Sequence, residues 1–423
     1  MSVLEFSKAV IKKGGKKMQK RSVLLITLIS VLLVLSISTI VIAETTVEIW
    51  HYFAAGTNAL DWAAEEWNKS HEDVKIELRY IPFADLKREI TKAIITNTGP
   101  DIVMLDNPDH ASYVAMGALA DITEYVEEWG QADLYFEGAW NSTMYEGRNY
   151  GIPQNSNTIV LFYNKDMLAE AGLEGPPETW AEFKEYAEKL TNPEKNVRGL
   201  SMCLRRSEDG VFQVLPFIQM GGGDIYHLDT PEAAAGLELL SDMYQNGWLV
   251  PEVLNFDQPS AMAAFASQNA AMVIDGPWDL FQLEDVDFEW GVALLPYKED
   301  VGIRASALGG ENFAIMKNSD NIEEAWEFIK WTQRRDFVEQ LYIKGGRLPS
   351  RRDVAEESDY WKSDPVLSVF MEQLEYAKPR GPHPRWPEIS NELQLAMQKA
   401  LTGQATPEEA LKEAAANIES ILE

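Results

Sequence analysis

The chain has 423 residues, of which 46% are hydrophobic and 25% charged, a balance typical of a folded protein with room for more than one domain. Its formal net charge of −30 excludes nucleic acid and anionic lipid as partners attracted by charge. Because Cys203 is the only cysteine, an intramolecular disulfide bond and a thiolate metal cluster are excluded as well.

The N-terminal segment is typical of an export signal. The stretch MQKRSVLLITLISVLLVLSISTIVIAET has a basic start, an apolar run from Val23 to Ala43, and small residues at positions that suit signal peptidase. We predict a signal peptide over residues 1–43, with Met18 as an alternative start, and hence a periplasmic or extracellular protein. The apolar run is also long enough for an uncleaved membrane anchor. Since no cysteine follows the signal region, we expect no bacterial lipid anchor.

Strands and helices are predicted to alternate along the first part of the chain. A β-branched strand over Thr45–Trp50 precedes a helix in which Leu60, Ala63, Ala64 and Trp67 recur at helical spacing. VKIELRYI then alternates like a strand, Ala84–Thr96 reads as a helix, and GPDIVMLD is an apolar run typical of a buried strand. This alternation predicts a parallel sheet with helices on both faces.

The same alternation continues in the second part. TIVLFYNKD predicts a strand, and PPETWAEFKEYAEKL predicts a helix with a capping box formed by Thr179 and Glu182. Another helix is predicted from Thr230 to Gly247, and a last one begins after Thr406 with acidic residues in its first turn. No Pro/Gly/Ser-rich linker interrupts the chain, so two α/β lobes would be joined by ordered strands.

Enzyme motifs are missing from the sequence. It contains no H-E-x-x-H, no G-x-S-x-G and no P-loop, and its five histidines lack the spacing of metal ligands. We therefore predict no catalytic residue, no metal and no cofactor. The many acidic residues leave one enzyme class open, because a glycosidase needs only two carboxylates that face each other across a cleft.

Aromatic and amide-rich segments fall at the ends of the predicted elements. These segments are IWHYFAAG, LDNPDH, GIPQNSNT, DGPWD, LGGENF and PRGPHPRWPEIS. Taken singly, a tryptophan such as Trp278 belongs more often to a core, and an amide cluster to a turn. Together they indicate a carbohydrate site, because ring faces stack on sugars while Asp, Asn, Gln and Arg bond hydroxyls, and open α/β sheets bind ligands beyond their strand ends.

The assembled pattern resembles the family 1 extracellular solute-binding proteins of ABC importers, the group that includes maltose-binding protein. The matching stretches, in family order, are VEIWHYFAAG, TNTGPDIVMLD, GALADIT, YGIPQNSNTIVLFYNKDML, PPETWAEFKEYAEKL, AFASQNAAMVIDGPW, ALGGENFAIMKNSDNIEEAWEFIKW, GGRLPSRRDV and LTGQATPEEAL. They extend from about residue 45 to the C-terminus. The first loop lacks the Asp-Lys pair of maltose-binding protein, so the resemblance does not extend to maltose as the ligand.

The resemblance implies an α/β, two-lobed periplasmic-binding-protein fold of type II. Each lobe would be a mainly parallel sheet flanked by helices, with the ligand cleft between the lobes. The chain would cross between lobes near Asn155–Tyr163, Ala305–Asn312 and Ile343–Arg347. The implied lobes are residues 44–157 plus 312–342, and residues 158–311 plus 343–423.

The resemblance also implies a set of ligand-binding residues, with Trp278 as the stacking tryptophan. The set is His51, Tyr52, Phe53, Asp106, Asn107, Gln154, Asn155, Asn157, Trp278, Gly310, Glu311, Arg347, Arg385 and Trp386.

The predicted function is capture of a sugar or oligosaccharide and its delivery to the membrane permease subunits of an ABC transporter, by a monomer without catalytic activity. Three alternatives stay open at this point. The same fold could bind a glycerol-phosphate-type solute through Arg347, Arg380 and Arg385. The chain could instead be an extracellular carbohydrate-active enzyme, or a surface adhesion or scaffold protein.

Overall fold

The computed structural model describes residues 45–53, 59–381 and 383–422. The predicted signal peptide over residues 1–43 lies outside these ranges. Across the described ranges, no helix combines the length and apolar character needed to cross a bilayer.

The strands alternate with helices in the predicted order. The strands are β1 (Thr45–His51), β2 (Val74–Tyr80), β3 (Ile102–Asp106), β4 (Met144–Tyr145), β5 (Arg148–Asn149), β6 (Ile152–Pro153), β7 (Val160–Asn164), β8 (Arg198–Ser201), β9 (Ala270–Asp275), β10 (Trp290–Ala293), β11 (Ser306–Leu308), β12 (Glu311–Ile315) and β13 (Ala377–Pro379).

The helices are α1 (Ala59–Ser70), α2 (Phe83–Thr96), α3 (His110–Ala115), α4 (Thr123–Trp129), α5 (Glu137–Asn141), α6 (Lys165–Glu170), α7 (Trp180–Leu190), α8 (Glu208–Gly221), α9 (Pro231–Gln245), α10 (Gln258–Ala266), α11 (Ile322–Thr332), α12 (Arg335–Gly345), α13 (Arg352–Glu357), α14 (Tyr360–Ser363), α15 (Leu367–Glu375), α16 (Trp386–Leu401) and α17 (Pro407–Leu422). The helix starts follow local chemistry: Thr179 and Glu182 form the expected capping box of α7, and Thr230 caps α9 by accepting from the Ala233 amide.

The first lobe is built on a five-stranded sheet in the order β2-β1-β3-β12-β6. β1 pairs in parallel with β2 and β3, whereas β12 pairs antiparallel with β3 and β6. Its core packs Val47, Ile49 and Phe313 against Phe328 and Leu341 of α11 and α12. A strand from residue 311 onward thus completes a sheet that begins at residue 45.

The second lobe is built on a four-stranded sheet in the order β10-β7-β9-β8, in which β8 and β9 alone pair in parallel. The prediction of mainly parallel sheets is therefore wrong in detail, and both sheets are mixed. Parallel neighbours need a crossover connection that returns the chain to the same end of the sheet before the second strand begins. β12 and β7 instead enter directly from the neighbouring lobe, so they run against β3 and β9. The predicted two-lobed α/β architecture itself is confirmed.

The crossing segments lie side by side between the lobes. Asn157 bridges to Gly309, and Ser156 bridges to Leu348, each in antiparallel fashion. Gly310 has a φ of 140°, and a Cβ there would overlap the Asn155 carbonyl oxygen, so this crossing requires glycine. The lobe boundaries given above stay a prediction.

Candidate ligand-binding cleft

A cavity of about 390 Å³, called here the main cavity, lies between the two lobes. Its first-lobe wall comes from residues at or just beyond the ends of β1, β2 and β3, and from the start of β12. Its second-lobe wall comes from α8, the start of α10 and the 3-10 helix Pro277–Leu283 that follows β9. The cavity therefore lies beyond strand ends, as expected for open α/β sheets.

Aromatic rings from both lobes cover much of the cavity wall. They are Tyr52, Phe53, Tyr80 and Phe83 from the first lobe and Phe212, Trp278 and Phe281 from the second. The Tyr52 and Phe83 centroids are 4.9 Å apart, and those of Phe212 and Trp278 are 6.1 Å apart. A flat ligand with C–H faces would thus contact ring surfaces of the first lobe on one side and of the second lobe on the other.

Trp278 is held by its own turn. β9 is fully buried and ends at Asp275, after which Gly276 and Pro277 start the short helix. A Cβ on Gly276 would overlap the Trp278 ring, so the indole lies directly over the glycine backbone. Gly276 therefore both starts the short helix and makes room for the ring.

Polar atoms at the cavity are left without partners in the described part of the protein. Tyr52 donates to Oε1 of Glu311 at 3.0 Å, while Oε2 of Glu311 has no hydrogen bond. Nε and Nη1 of Arg347 are also unpaired, with the guanidinium 4.8 Å from the Phe53 ring centroid. Asp279 accepts from Gln282 through Oδ1 but not through Oδ2. Such groups need a hydrogen-bonding ligand or water, because a buried unpaired polar atom costs about 1–3 kcal/mol.

Burial favours the neutral forms of Asp279 and Glu311 at the cavity. It raises the pKa of Asp279 to about 6, although Gln282 and Arg347 act in the opposite direction. Burial likewise raises the pKa of Glu311, again opposed by Arg347. The neighbouring Asp275 has its pKa raised by burial and by the charge of Asp279. A protonated carboxyl can donate as well as accept, which suits it to hydroxyl ligands.

An ion network connects the lobes at the back of the main cavity. Arg380, which follows β13, donates to both carboxylate oxygens of Asp106 at 2.7 and 3.0 Å and to Glu208 of α8 at 2.7 Å. Asp106 ends β3 in the first lobe, and Arg380 is only 3% exposed. We call Asp106, Glu208 and Arg380 the interlobe ion network.

Second-lobe groups hold this network in place. Glu208 also accepts from Nε1 of Trp386 at 3.1 Å and from Ser390, and the Arg380 guanidinium lies 4.5 Å from the Phe212 ring centroid. Burial raises the pKa of Asp106, while the Arg380 charge lowers it. Nearby, Lys87 of α2 pairs with Asp109 at 2.7 Å. Apart from Nε of Arg380, which has no partner among the described residues, the charged groups of the network are paired and hydrogen-bonded, which is the condition under which buried charges are tolerated.

The predicted site residues fall into three groups. Seven line the main cavity: Tyr52, Phe53, Asp106, Asn157, Trp278, Glu311 and Arg347. Five are buried behind it: His51, Asn107, Gln154, Asn155 and Gly310. The His51 ring lies in T-shaped arrangements with the rings of Phe53 and Tyr80. The backbone N–H of Asn107 donates to the Gly310 carbonyl at 3.0 Å. These five residues support the wall rather than form it.

Two predicted residues lie elsewhere, and their assignment to the cavity is corrected. Arg385 is tied at the surface to Glu388 and to the Ile421 carbonyl, which joins the start of α16 to the end of α17. Trp386 is fully buried in the second-lobe core. Its indole reaches Glu208 and so contacts the ion network, not the cavity.

Other cavity residues were missed by the sequence reasoning. Tyr80 is the last residue of β2 and Phe83 follows soon after it, so the strand-end rule that selected Tyr52 could have found them. Phe212 lies within α8, a helix that is buried along its whole length. Its apolar sequence therefore predicts core residues and does not distinguish one that faces the cavity. No sequence pattern marked the remaining charged residues of the cavity, which are Arg205, Asp209 and Asp257.

In the described ranges, no group of three or more His, Cys, Asp or Glu residues is arranged to hold a metal ion.

The fold and the cleft define a two-lobed ligand-binding protein. A family model for the bacterial extracellular solute-binding proteins matches residues 52–335, and the chain belongs to that family.

Individual relatives are similar over most of their length. The galactooligosaccharide-binding protein of Bacillus subtilis is 24% identical over 373 residues, covering 85% of each chain. The maltotriose-binding protein of Pyrococcus abyssi is 25% identical over 352 residues, covering 79% of this chain and 73% of the relative. A solved ABC-transporter solute-binding protein of Thermotoga lettingae, bound to α-D-tagatose, superposes with a TM-score of 0.83 at 26% identity, covering 90% of this chain and all of that one.

Proposed function

We propose that this protein is the solute-binding component of an ABC importer and that its ligand is a sugar or oligosaccharide. The observation that carries the proposal is the main cavity, in which ring faces from both lobes surround unpaired buried donors and acceptors. Rings stack on the C–H faces of a sugar, and the unpaired atoms of Glu311, Arg347 and Asp279 bond its hydroxyls.

The named relatives support the same ligand class. Proteins similar to this chain are named for galactooligosaccharide and maltotriose, and a solved neighbour holds tagatose. In the proposal, closure of the lobes traps the sugar, and the closed form delivers it to the permease subunits. The protein acts as a monomer outside the cytoplasm, exported by its N-terminal signal, and has no catalytic step.

A phosphate-bearing solute is disfavoured by the charges at the cavity. Five carboxylates line it, against the three guanidinium groups of Arg205, Arg347 and Arg380. Asp209 engages Arg205, and the ion network engages Arg380. Arg385, the third arginine considered for a phosphate, is bound to Glu388 at the surface. Arg347 is left as a single cation, which suits a polar neutral ligand better than a phosphodiester.

Thermal-shift screening against a panel of sugars and glycerol phosphates tests the proposal. A ligand that binds only the folded protein stabilises it by about 2.7 kcal/mol at a hundredfold excess over Kd, which is readily measured. We expect at least one sugar to raise the melting temperature, with saturable binding in calorimetry and no change in the sugar after prolonged incubation. Stabilisation by glycerol 3-phosphate alone, weakening as salt is added, would contradict the sugar assignment. Release of cleaved product would instead establish an enzyme.

A further inference from the structure

A second cavity, called here the outer chamber, adjoins the main cavity on the second-lobe side. It has a volume of about 440 Å³, close to the 390 Å³ of the main cavity, so the two together offer more than twice the room of the main cavity alone. Its walls are the short helix after β9, the end of α12, and residues 360–367. Trp278, Phe281 and Arg347 line both cavities. A ligand held at these residues therefore lies at the boundary between the two spaces.

Exposed aromatic rings gather at these two cavities. The described residues include seven large hydrophobic side chains that are markedly exposed, and three of them line the cavities: Tyr80, Phe281 and Tyr360. Phe281 is 49% exposed at the shared wall, and Tyr360 is 42% exposed in the outer chamber. Clustered exposed rings mark a binding surface more often than single ones do. The Tyr360 ring packs at nearly a right angle against Trp361, with the ring centroids 5.3 Å apart.

The rest of the outer chamber is polar enough for a hydroxylated ligand. Lys344 and Glu284 are exposed at its wall, and Asp364 lies beside them, with Oδ1 accepting from the Val366 and Leu367 amides. The chamber thus repeats the chemistry of the main cavity, which is ring surface next to charged donors and acceptors. Such a mixture fits a sugar unit better than a purely apolar molecule.

We propose that the outer chamber is an additional sugar subsite, so that the ligand is an oligosaccharide longer than a disaccharide. This inference rests on the proposed sugar-binding function. One end of the chain lies in the main cavity against Trp278, the middle passes Phe281, and the far units stack on Tyr360. The Tyr360 ring then contributes affinity only when the ligand is long enough to reach it.

Length-matched sugar ladders test the proposal. Calorimetry would measure affinities for the di-, tri- and tetrasaccharides of the maltose, β-1,4-mannose and β-1,4-galactose series, with wild-type protein and the variants Tyr360→Ala and Tyr360→Phe. The control is Tyr226→Ala, because Tyr226 is 61% exposed and lines neither cavity. In the series that binds, we expect tetrasaccharide affinity to exceed disaccharide affinity at least tenfold.

The variants separate stacking from a loss of folding. Tyr360→Ala should remove most of the gain with length and leave disaccharide affinity within twofold, which itself reports an intact main cavity. Tyr360→Phe should keep the gain, and Tyr226→Ala should change nothing. Equal affinity for short and long sugars, or an equal loss for both in Tyr360→Ala, overturns the subsite while sugar binding stands. Failure of every sugar ladder and of the sugar panel overturns both proposals.

Discussion

Replacement of Arg380 by methionine tests the interlobe ion network most directly. The change keeps the length and apolar stem of the side chain but removes the cation. Asp106 and Glu208, which are 9% and 6% exposed, would then lie buried without their shared partner. Removal of one member of a buried ion pair costs about 3–5 kcal/mol, because the remaining charge is uncompensated. Here two carboxylates lose the same cation, so we expect a value near the upper end.

The expected loss translates into a measurable change in melting temperature. With an unfolding entropy of about 2.1 cal/mol/K per residue, a loss of about 3–5 kcal/mol lowers the melting temperature of a chain of this size by about 3–6 °C. Scanning calorimetry in the absence of ligand measures it. Arg206→Met is the matched control, since Arg206 is an exposed neighbour bonded only to Asn391 among the described residues.

A charge-neutral triple variant checks the cause. Arg380→Met combined with Asp106→Asn and Glu208→Gln removes the buried charges together, and most of the lost stability should return, because neutral amides are far less costly to bury than unpaired carboxylates. A loss below about 1 kcal/mol in Arg380→Met, or no recovery in the triple variant, would refute the view that Arg380 neutralises these carboxylates.

Three further changes address the main cavity. Trp278→Ala should weaken sugar binding at least tenfold with little loss of stability, measured by calorimetry beside Trp248→Ala, which alters a half-buried indole of the second lobe that lines neither cavity; unchanged affinity would remove Trp278 from the site. Gly276→Ala should weaken binding similarly with all side-chain chemistry retained, because the new methyl group displaces the indole; wild-type affinity would show that the ring position is unimportant. Asp279 is buried with its pKa raised from 3.8 to about 6, so the folded state disfavours its charge and stability falls as pH rises between these values. Asp279→Asn should therefore melt higher than wild type at pH 7.5, with the difference vanishing below pH 4, and a pH-independent difference would contradict this assignment.

Local chemistry explains which parts of the fold were predictable. The β-branched run before His51, the capping box of α7 and the Thr-Pro start of α9 each depend on residues a few positions apart. Strand direction was not predictable in the same way. It depends on whether a strand enters from its own lobe or from the other one, and alternation of polar and apolar residues is the same in both cases.

The candidate site was predictable where it lies at strand ends and not where it depends on partners distant in sequence. Asp106 ends a buried strand, and Tyr52 and Trp278 follow the ends of β1 and β9, so a topological rule located them. Arg380 reaches Asp106 across 274 positions and Glu208 across 172, and no local pattern encodes these distances. Trp386 was misplaced because a proline-flanked tryptophan at a helix start looks the same whether it faces a cleft or a core.

One member of the interlobe ion network, Glu208, lies outside the lining of the main cavity, and this position has an evolutionary consequence. Glu208 bonds the lobes together through Arg380, whereas Trp278 and Glu311, which would distinguish one ligand from another, line the cavity. Apparent affinity depends on the population of the binding-competent closed form as well as on ligand contacts. Substitutions at Glu208 would thus adjust the solute concentration at which the protein fills, without altering its choice of solute. Related proteins could adapt by this route to scarce or abundant nutrients while keeping the same ligand specificity.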